Sequence, residues 1–79
     1  GVQTEVQEML DELGVLIEEA GVGHYDEEDM EWHPVPGTYP ANTVAAWWNF
    51  IGVVSDGSLG VHNPPYIKAI LQGAIDALQ

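Results

Sequence analysis

The chain contains no cysteine and no arginine, and its single lysine is Lys68. Without cysteine it can form neither a disulfide nor a thiolate metal site, so a fold this small must be stabilised in another way. Thirteen acidic residues give a formal net charge of −12. Because nucleic acids and anionic membrane surfaces are bound mainly through lysine and arginine, neither is an expected partner.

The chain also lacks any apolar run long enough to span a bilayer, so no transmembrane helix is predicted. Its 79 residues predict one small domain over residues 1–79. A domain of this size buries only about 60% of the surface of its unfolded chain. Small folds without disulfides usually depend on a metal, a cofactor or a partner chain. We therefore expect a partner, a ligand, or membership of a larger assembly as a subunit or fragment.

Three segments carry the three-to-four-residue apolar spacing of amphipathic helices, at about 4–20, 43–54 and 64–78. Thr4 and Gln7 fit a capping box at the start of the first, and Gly21 fits the left-handed residue that ends it. Asn63 fits the cap of the third, with Pro64 at its first position. The sequence therefore predicts an all-α fold of three helices.

Residues 22–40 show no regular pattern and predict a long loop that is acidic and rich in proline. Eleven of the 13 acidic residues precede Trp32, and only two follow it. Three aromatic residues in the loop indicate that part of it packs on another surface: Tyr25, Trp32 and Tyr39. Gly14, in the middle of the first helix, indicates close approach of a neighbour.

The second predicted helix is apolar nearly all round, with Trp47, Trp48 and Phe50 close together. Such a helix must be buried on several sides. Two further helices provide little surface for this, which again favours an external partner. Packing in the core is the simpler explanation of the aromatic cluster, and packing against a flat cofactor or a partner is the functional one.

Three histidines are the candidate ligands, and His62 is the strongest because it directly precedes the third helix. Held there, it could present one ring nitrogen to a metal while the other bonds a backbone carbonyl. His24 and His33 flank the acidic run and are weaker metal candidates. Their spacing fits no zinc motif, and the run fits no EF-hand, so a solvated acidic loop is the simpler interpretation. No catalytic motif is present, and the chain is not predicted to be an enzyme.

The second half of the chain, residues 39–78, resembles the closing segment of periplasmic and extracellular multihaem c-type cytochromes. The resemblance rests on the Y-P-A-N at 39–42, the A-A-W-W-N-F at 45–50 and the D-G-S-L-G-V-H-N-P-P-Y at 56–66, of which the G-V-H-N-P-P-Y at 60–66 is the distinctive part. In that family the segment typically has an aromatic-rich helix, a loop ending in H-N-P, and a closing helix. Only this half carries specific motifs, and the first helix matches in character alone.

The resemblance implies that His62 is the distal axial ligand of a haem and that the chain works in electron transfer in the periplasm or outside the cell. No C-x-x-C-H motif is present, so no haem is attached covalently to this chain. Three explanations are open: a subunit or fragment that lends His62 to haem c on a partner cytochrome chain, a haemless acidic interaction or assembly module, including self-association, and non-covalent binding of haem or a metal. We predict the first, with the second as the alternative.

Overall fold

The computed structural model describes residues 1–56 and 63–79. Its elements are α1 (Val2–Ala20), β1 (Gly23–Asp26), β2 (Glu31–Pro34), α2 (Ala41–Asp56) and α3 (Pro64–Leu78). The two strands form an antiparallel two-stranded sheet. The prediction of an all-α fold is therefore wrong: the three helices are accompanied by a β-hairpin, and the fold is mixed α and β.

Helix α1 begins at Val2, two residues before the predicted start, and Gly1 occupies the N-cap position without a side-chain bond. The predicted capping box at Thr4 is therefore wrong. The predicted end is confirmed, since Gly21 adopts the left-handed conformation with φ 78°. Its N–H donates to the carbonyls of Ile17 and Glu18 at 3.0 and 3.1 Å, which satisfies orphan acceptors of the last turn.

Helix α2 extends two residues beyond the predicted 43–54 at each end. The carbonyl of Pro40 accepts hydrogen bonds from the N–H groups of Thr43 and Val44, and this sets the start of the helix. Helix α3 has the predicted bounds, with Pro64 in its first turn. Asn63 is its N-cap residue as predicted, but it adopts φ 49° and makes no side-chain capping bond.

The hairpin lies inside the segment predicted to be a loop. Its register pairs His24 with His33 and Tyr25 with Trp32. Each strand has only four residues, and acidic residues fill the turn, so the alternating pattern of a strand has almost no length in which to appear. The pairing depends on packing of the Tyr25–Trp32 face against helices that are distant in sequence, which local propensity does not report.

The proline-rich segment after β2 folds back onto the rest of the chain. The N–H of Val35 donates to the carbonyl of Val22 at 2.9 Å, which continues the hairpin pairing by one bond. The Tyr39 hydroxyl lies 2.7 Å from the carbonyl oxygen of Val35 and 3.0 Å from that of Gly21, and these two acceptors share its single proton. This closes the segment between β2 and α2.

The core lies between the three helices, and Trp32 of the hairpin covers one side of it. Its buried side chains come from α1, α2, α3 and the residue before β1: Val6, Leu10, Leu13, Ile17, Val22, Ala46, Trp47, Phe50, Val53, Leu71, Ala74 and Ile75. Only one face of α2 is buried in this core. On the opposite face Trp48 is 65% exposed. A helix that is apolar on all sides is usually buried on all sides, whereas this face of α2 is open to solvent.

Candidate functional site

His62, the strongest sequence candidate, lies outside the described residues, as does the whole of 57–62. The structure places its flanks. Helix α2 ends at Asp56, and Asn63 and Pro64 begin α3 directly after the histidine. His62 therefore belongs to the connection between two helices that pack against each other.

A shallow groove of about 300 Å³ runs between α2 and α3, and we call it the α2–α3 groove. Its lining residues are Trp48, Asn49, Gly52, Val53, Asp56, Ile67 and Ile70. Trp48, Gly52 and Asp56 are spaced by four residues and so lie along one stripe of α2 that leads to the 57–62 connection. Tyr66, in the first turn of α3, is also exposed. The two helices that the 57–62 connection joins therefore carry exposed apolar and aromatic side chains.

The two weaker metal candidates, His24 and His33, are directly opposite each other in the hairpin. Their rings nevertheless engage different carboxylates. His24 Nδ1 lies 2.8 Å from Glu18 Oε1 on α1, and His33 Nε2 lies 2.7 Å from Asp29 Oδ2 in the turn. The structure therefore does not bring the two imidazoles together around one ion.

His33 does share a cluster with Asp26 and Asp29, whose potential ligand atoms all lie within 4.8 Å of one another. Both carboxylates accept hydrogen bonds from backbone N–H groups of the turn. Asp26 Oδ1 accepts the N–H of Glu28 at 2.8 Å, and Asp29 Oδ1 accepts the N–H of Glu31 at 3.0 Å. Such aspartate-to-backbone bonds stabilise tight turns. Asp29 is exposed and Asp26 is half-buried, and both build the hairpin turn.

The electrostatics of this cluster favour the protonated form of His33. The hydrogen bond to Asp29 raises the pKa of His33 above its ordinary value, and the nearby charges of Asp26 and Glu31 act in the same direction. The cluster therefore acts as a charge-assisted clamp across the turn.

A second groove, of about 400 Å³, lies between α1, the hairpin and α2, and we call it the aromatic groove. Its lining residues are Gln7, Leu10, Asp11, Gly14, Val15, Glu18, Tyr25, Trp32, Phe50 and Val54. The Trp32 ring packs edge-to-face on Phe50 with centroids 4.8 Å apart, and it also contacts Tyr25 at 5.6 Å. The predicted close approach at Gly14 is confirmed, because a Cβ there would lie 3.2 Å from the Trp32 ring.

Two carboxylates of α1 line this groove. Glu18 Oε1 accepts the N–H of Tyr25 at 3.1 Å and contacts His24 Nδ1, which ties the first strand to α1. The bond from Tyr25 and then the bond from His24 hold the pKa of Glu18 below its ordinary value, so this carboxylate stays charged. Asp11 Oδ1 accepts a hydrogen bond of 2.9 Å from Gln7 Nε2 one turn earlier.

Sequence reasoning missed the aromatic groove because three separate elements build it. Two signals were present, namely the glycine inside an otherwise apolar helix and the aromatic residues within an acidic segment. Neither signal shows that Trp32 lies over Gly14. That contact exists only once the hairpin forms and returns to α1.

Comparison of the chain with models of protein families, with curated proteins and with solved structures finds no match. The resemblance to multihaem cytochromes therefore stays a prediction from residues 39–78. Over the described part of the chain, no helix is both long enough and apolar enough to cross a membrane.

Proposed function

We propose that the chain is a cytochrome-associated helical module in electron transfer, which donates His62 as a distal axial ligand to haem c held by a partner chain. The observation that carries the proposal is the string at 56–66, which contains His62 and connects α2 to α3. The start of α3 at Pro64 supports it, since the resemblance implies a closing helix that begins at this N-P. No catalytic step is assigned to the chain itself, and its expected location is the periplasm or the cell exterior.

The exposed apolar surface on the two helices that the 57–62 connection joins supports such a role. A haem is a flat, largely apolar macrocycle, and the α2–α3 groove presents Trp48 with Ile67 and Ile70. Trp48 is 65% exposed although tryptophan is usually well buried. Docking of a haem-bearing partner on this face would remove that surface from water.

The chemistry required of His62 is modest. A bound haem iron takes neutral imidazole as an axial ligand, and the identity of the axial ligand is one of the factors that set the reduction potential of the haem. The second ring nitrogen of an iron ligand is usually held by a backbone carbonyl or a carboxylate. Because the ligand must be neutral imidazole, binding is expected to weaken in acidic solution.

Absorption spectroscopy of the natively isolated complex tests the proposal. In the His62→Ala variant, loss of the imidazole should convert one haem from low spin to high spin, with a corresponding change in the Soret and α bands. His24→Ala is the matched control, since His24 is bound to Glu18 on a different part of the fold. Unchanged low-spin bands in the His62→Ala complex would show that the ligand assignment is wrong.

The second candidate function is a haemless acidic module for protein–protein interaction or assembly. One observation favours it: within the described residues, every buried side-chain nitrogen or oxygen has a hydrogen-bond partner. The core is closed by side chains of this chain, including Trp32 and Tyr39.

Sedimentation and far-UV circular dichroism of the isolated chain separate the two candidates. A colourless, stably folded helical oligomer would favour the haemless module. A chain that gains stability only when a haem-bearing partner is added would favour the cytochrome-associated role, because a partner that binds the folded state stabilises it by mass action.

A further inference from the structure

We propose that the aromatic groove is a docking site for a basic, amphipathic segment of a partner protein. Cationic side chains of that segment lie against Trp32 and Tyr25 and pair with Asp11 and Glu18, and its apolar side chains rest on Val15 and Val54. The argument uses no residue of the 57–62 connection and goes beyond any role of His62.

The base of the groove is apolar and its edge is acidic. Phe50 and Leu10 are buried beneath it, while Val15 is 60% exposed at its side. Aromatic faces attract lysine and arginine through the negative potential of the ring, with Trp the strongest. Carboxylates beside such faces add a charge-assisted contact. The combination suits an amphipathic cation and disfavours an anion or a neutral apolar ligand.

The length of the groove indicates a segment of chain as its occupant. The α1 residues that line it run from Gln7 to Glu18. At 1.5 Å per residue these 11 steps span about 16 Å along the helix, roughly three turns. Asp11 and Glu18 are seven residues apart and so lie two turns apart on the same side of α1. A single small cation would contact only one of the two carboxylates, whereas a peptide with spaced cationic residues contacts both.

Charge complementarity also decides against a second copy of this chain. The chain has one lysine and no arginine among its 79 residues. Lys68 is already paired with Glu5, across the α1–α3 contact. A second copy would bring twelve net negative charges to an acidic edge, so the cations must come from a different protein.

Hydrogen bonds within the chain already hold both carboxylates in place. Each uses one oxygen in the hydrogen bonds described above, Oδ1 in Asp11 and Oε1 in Glu18. The bonds restrict their rotamers, so less side-chain entropy is lost when a cation binds. The lowered pKa of Glu18 keeps it ionised in mildly acidic solution.

The test titrates the 79-residue chain with a synthetic 12-residue peptide of alternating lysine and leucine pairs. The same peptide with glutamate in place of lysine serves as its counterpart. Binding is followed at low salt by two-dimensional NMR through the indole N–H of Trp32. We expect saturable shifts with the lysine peptide, weaker at high salt because exposed charge pairs are screened. We expect no binding of the glutamate peptide.

The fold offers a closely matched pair of variants. Asp11→Asn removes one carboxylate charge from the groove, and the affinity should fall about three- to fivefold, as for an exposed ion pair. Asp76→Asn is the control, because Asp76 lies on α3 and also accepts a 2.9 Å bond from a glutamine one turn earlier. The control should bind the peptide like the unchanged chain.

A second pair of variants tests the apolar side of the groove. Val54→Lys places a like charge where the peptide binds and should weaken affinity about tenfold or more. Val44→Lys is its control, since Val44 is equally exposed on α2 but does not line the groove. Circular dichroism of all four variants confirms that each remains folded.

Three results would overturn the proposal: equal loss of affinity in the Asp11 and Asp76 variants, equal binding of the glutamate peptide, or binding of tetramethylammonium alone as tightly as the lysine peptide. The first two would remove the role of charge, and the third would leave a small-cation site in place of a docking surface. None of these measurements depends on haem, so the outcome is separate from that of the His62 test.

Discussion

The acidic first part of the chain and the nearly neutral second part use their unusual residues in opposite ways. In residues 1–40 several acidic side chains have structural partners: Glu5 pairs with Lys68, Glu18 binds the first strand, and Asp26 and Asp29 cap the hairpin turn. In residues 41–79 the aromatic side chains divide, with Trp47 and Phe50 in the core and Trp48 and Tyr66 left in solvent.

This difference separates structural residues from candidate functional ones. A cluster of acidic residues is commonly attributed to metal binding or solubility, yet here Asp26 and Asp29 accept hydrogen bonds from backbone N–H groups and so build the hairpin turn. An exposed tryptophan is harder to explain, because leaving that much apolar surface in water has no structural benefit. The exposed apolar side chains that need another explanation include Trp48 and Tyr66 on the neutral half and Val15 and Val54 at the aromatic groove.

The largest expected effect compares two adjacent tryptophans. Trp47 is 5% exposed and Trp48 is 65% exposed. Trp47→Ala should lower the free energy of unfolding by about 3–5 kcal/mol, because it removes a large ring from the core and leaves a cavity. Trp48→Ala should change it by no more than about 0.5 kcal/mol, as usual for exposed positions. Urea unfolding followed by circular dichroism measures both.

A large loss of stability in the isolated Trp48→Ala chain would contradict this assignment, since it would make Trp48 a structural residue. If the isolated chain is unaffected while the native complex loses its partner, Trp48 belongs to the docking surface. The pair therefore tests directly whether α2 has one buried face or two.

The next effect concerns two glycines, one in each half. A Cβ at Gly23 would lie 2.2 Å from Trp47 Cζ3, so Gly23→Ala forces the ring or the first strand to move. We expect a loss of about 1–3 kcal/mol, typical of overpacking. Gly52→Ala is the control, because a Cβ there meets nothing within 4 Å.

In the control the sign should reverse. Alanine in a helix interior is more favourable than glycine by up to about 1 kcal/mol, so Gly52→Ala should stabilise the chain. The same denaturant titration compares the two variants. Similar destabilisation by both would mean that the contact between Gly23 and Trp47 does not constrain the hairpin.

Helices were largely predictable because their signals are local. The apolar spacing of α3 together with Asn63 and Pro64 gave its bounds, and Gly21 gave the end of α1. The start of α1 was missed because Thr4 has the right chemistry for a cap although the helix already runs through it. The observed α2 extends two residues beyond each predicted end.

The hairpin and the aromatic groove were not predictable for a different reason. Strands of four residues give too short an alternation, and here an acidic turn and two prolines obscured it. The stabilising contacts are long-range, from Glu18 to Tyr25 and from Trp32 to Gly14. Sequence spacing carries no information on such pairs. The acidic residues were interpreted through their charge, whereas their hydrogen bonds to backbone N–H groups decide the local fold.

A smaller effect tests whether Glu18 joins the hairpin to α1. Its pKa in the folded chain lies below the ordinary value of 4.5, so its contribution to stability is present above that value and is lost as the pH falls through the lowered pKa. Glu18→Gln should therefore reduce stability at neutral pH and flatten the acid side of the stability profile. Glu19→Gln, its exposed neighbour on α1, is the control and should leave the profile unchanged.

The smallest effect concerns the clamp between His33 and Asp29. Its contribution to stability changes with pH in the direction opposite to that of Glu18. The pKa of His33 is raised above 6.5, so the clamp contributes fully below pH 6.5, while Asp29 is ionised, and its contribution is lost as the pH rises through the raised value. Asp29→Asn should return the pKa of His33 toward its ordinary value while an amide oxygen can still accept the N–H of Glu31. NMR titration of the His33 ring protons measures this shift.

Glu28→Gln is the matched control for the clamp, because Glu28 lies in the same turn and its charge is not among the causes of the raised pKa. It should leave the His33 titration unchanged. If both variants lower the pKa equally, the general negative charge of the turn is responsible and the hydrogen bond is not. The acidic residues would then raise the pKa of His33 through their combined charge. The acidic and neutral parts of the chain would in that case differ in net charge and not in specific hydrogen bonds.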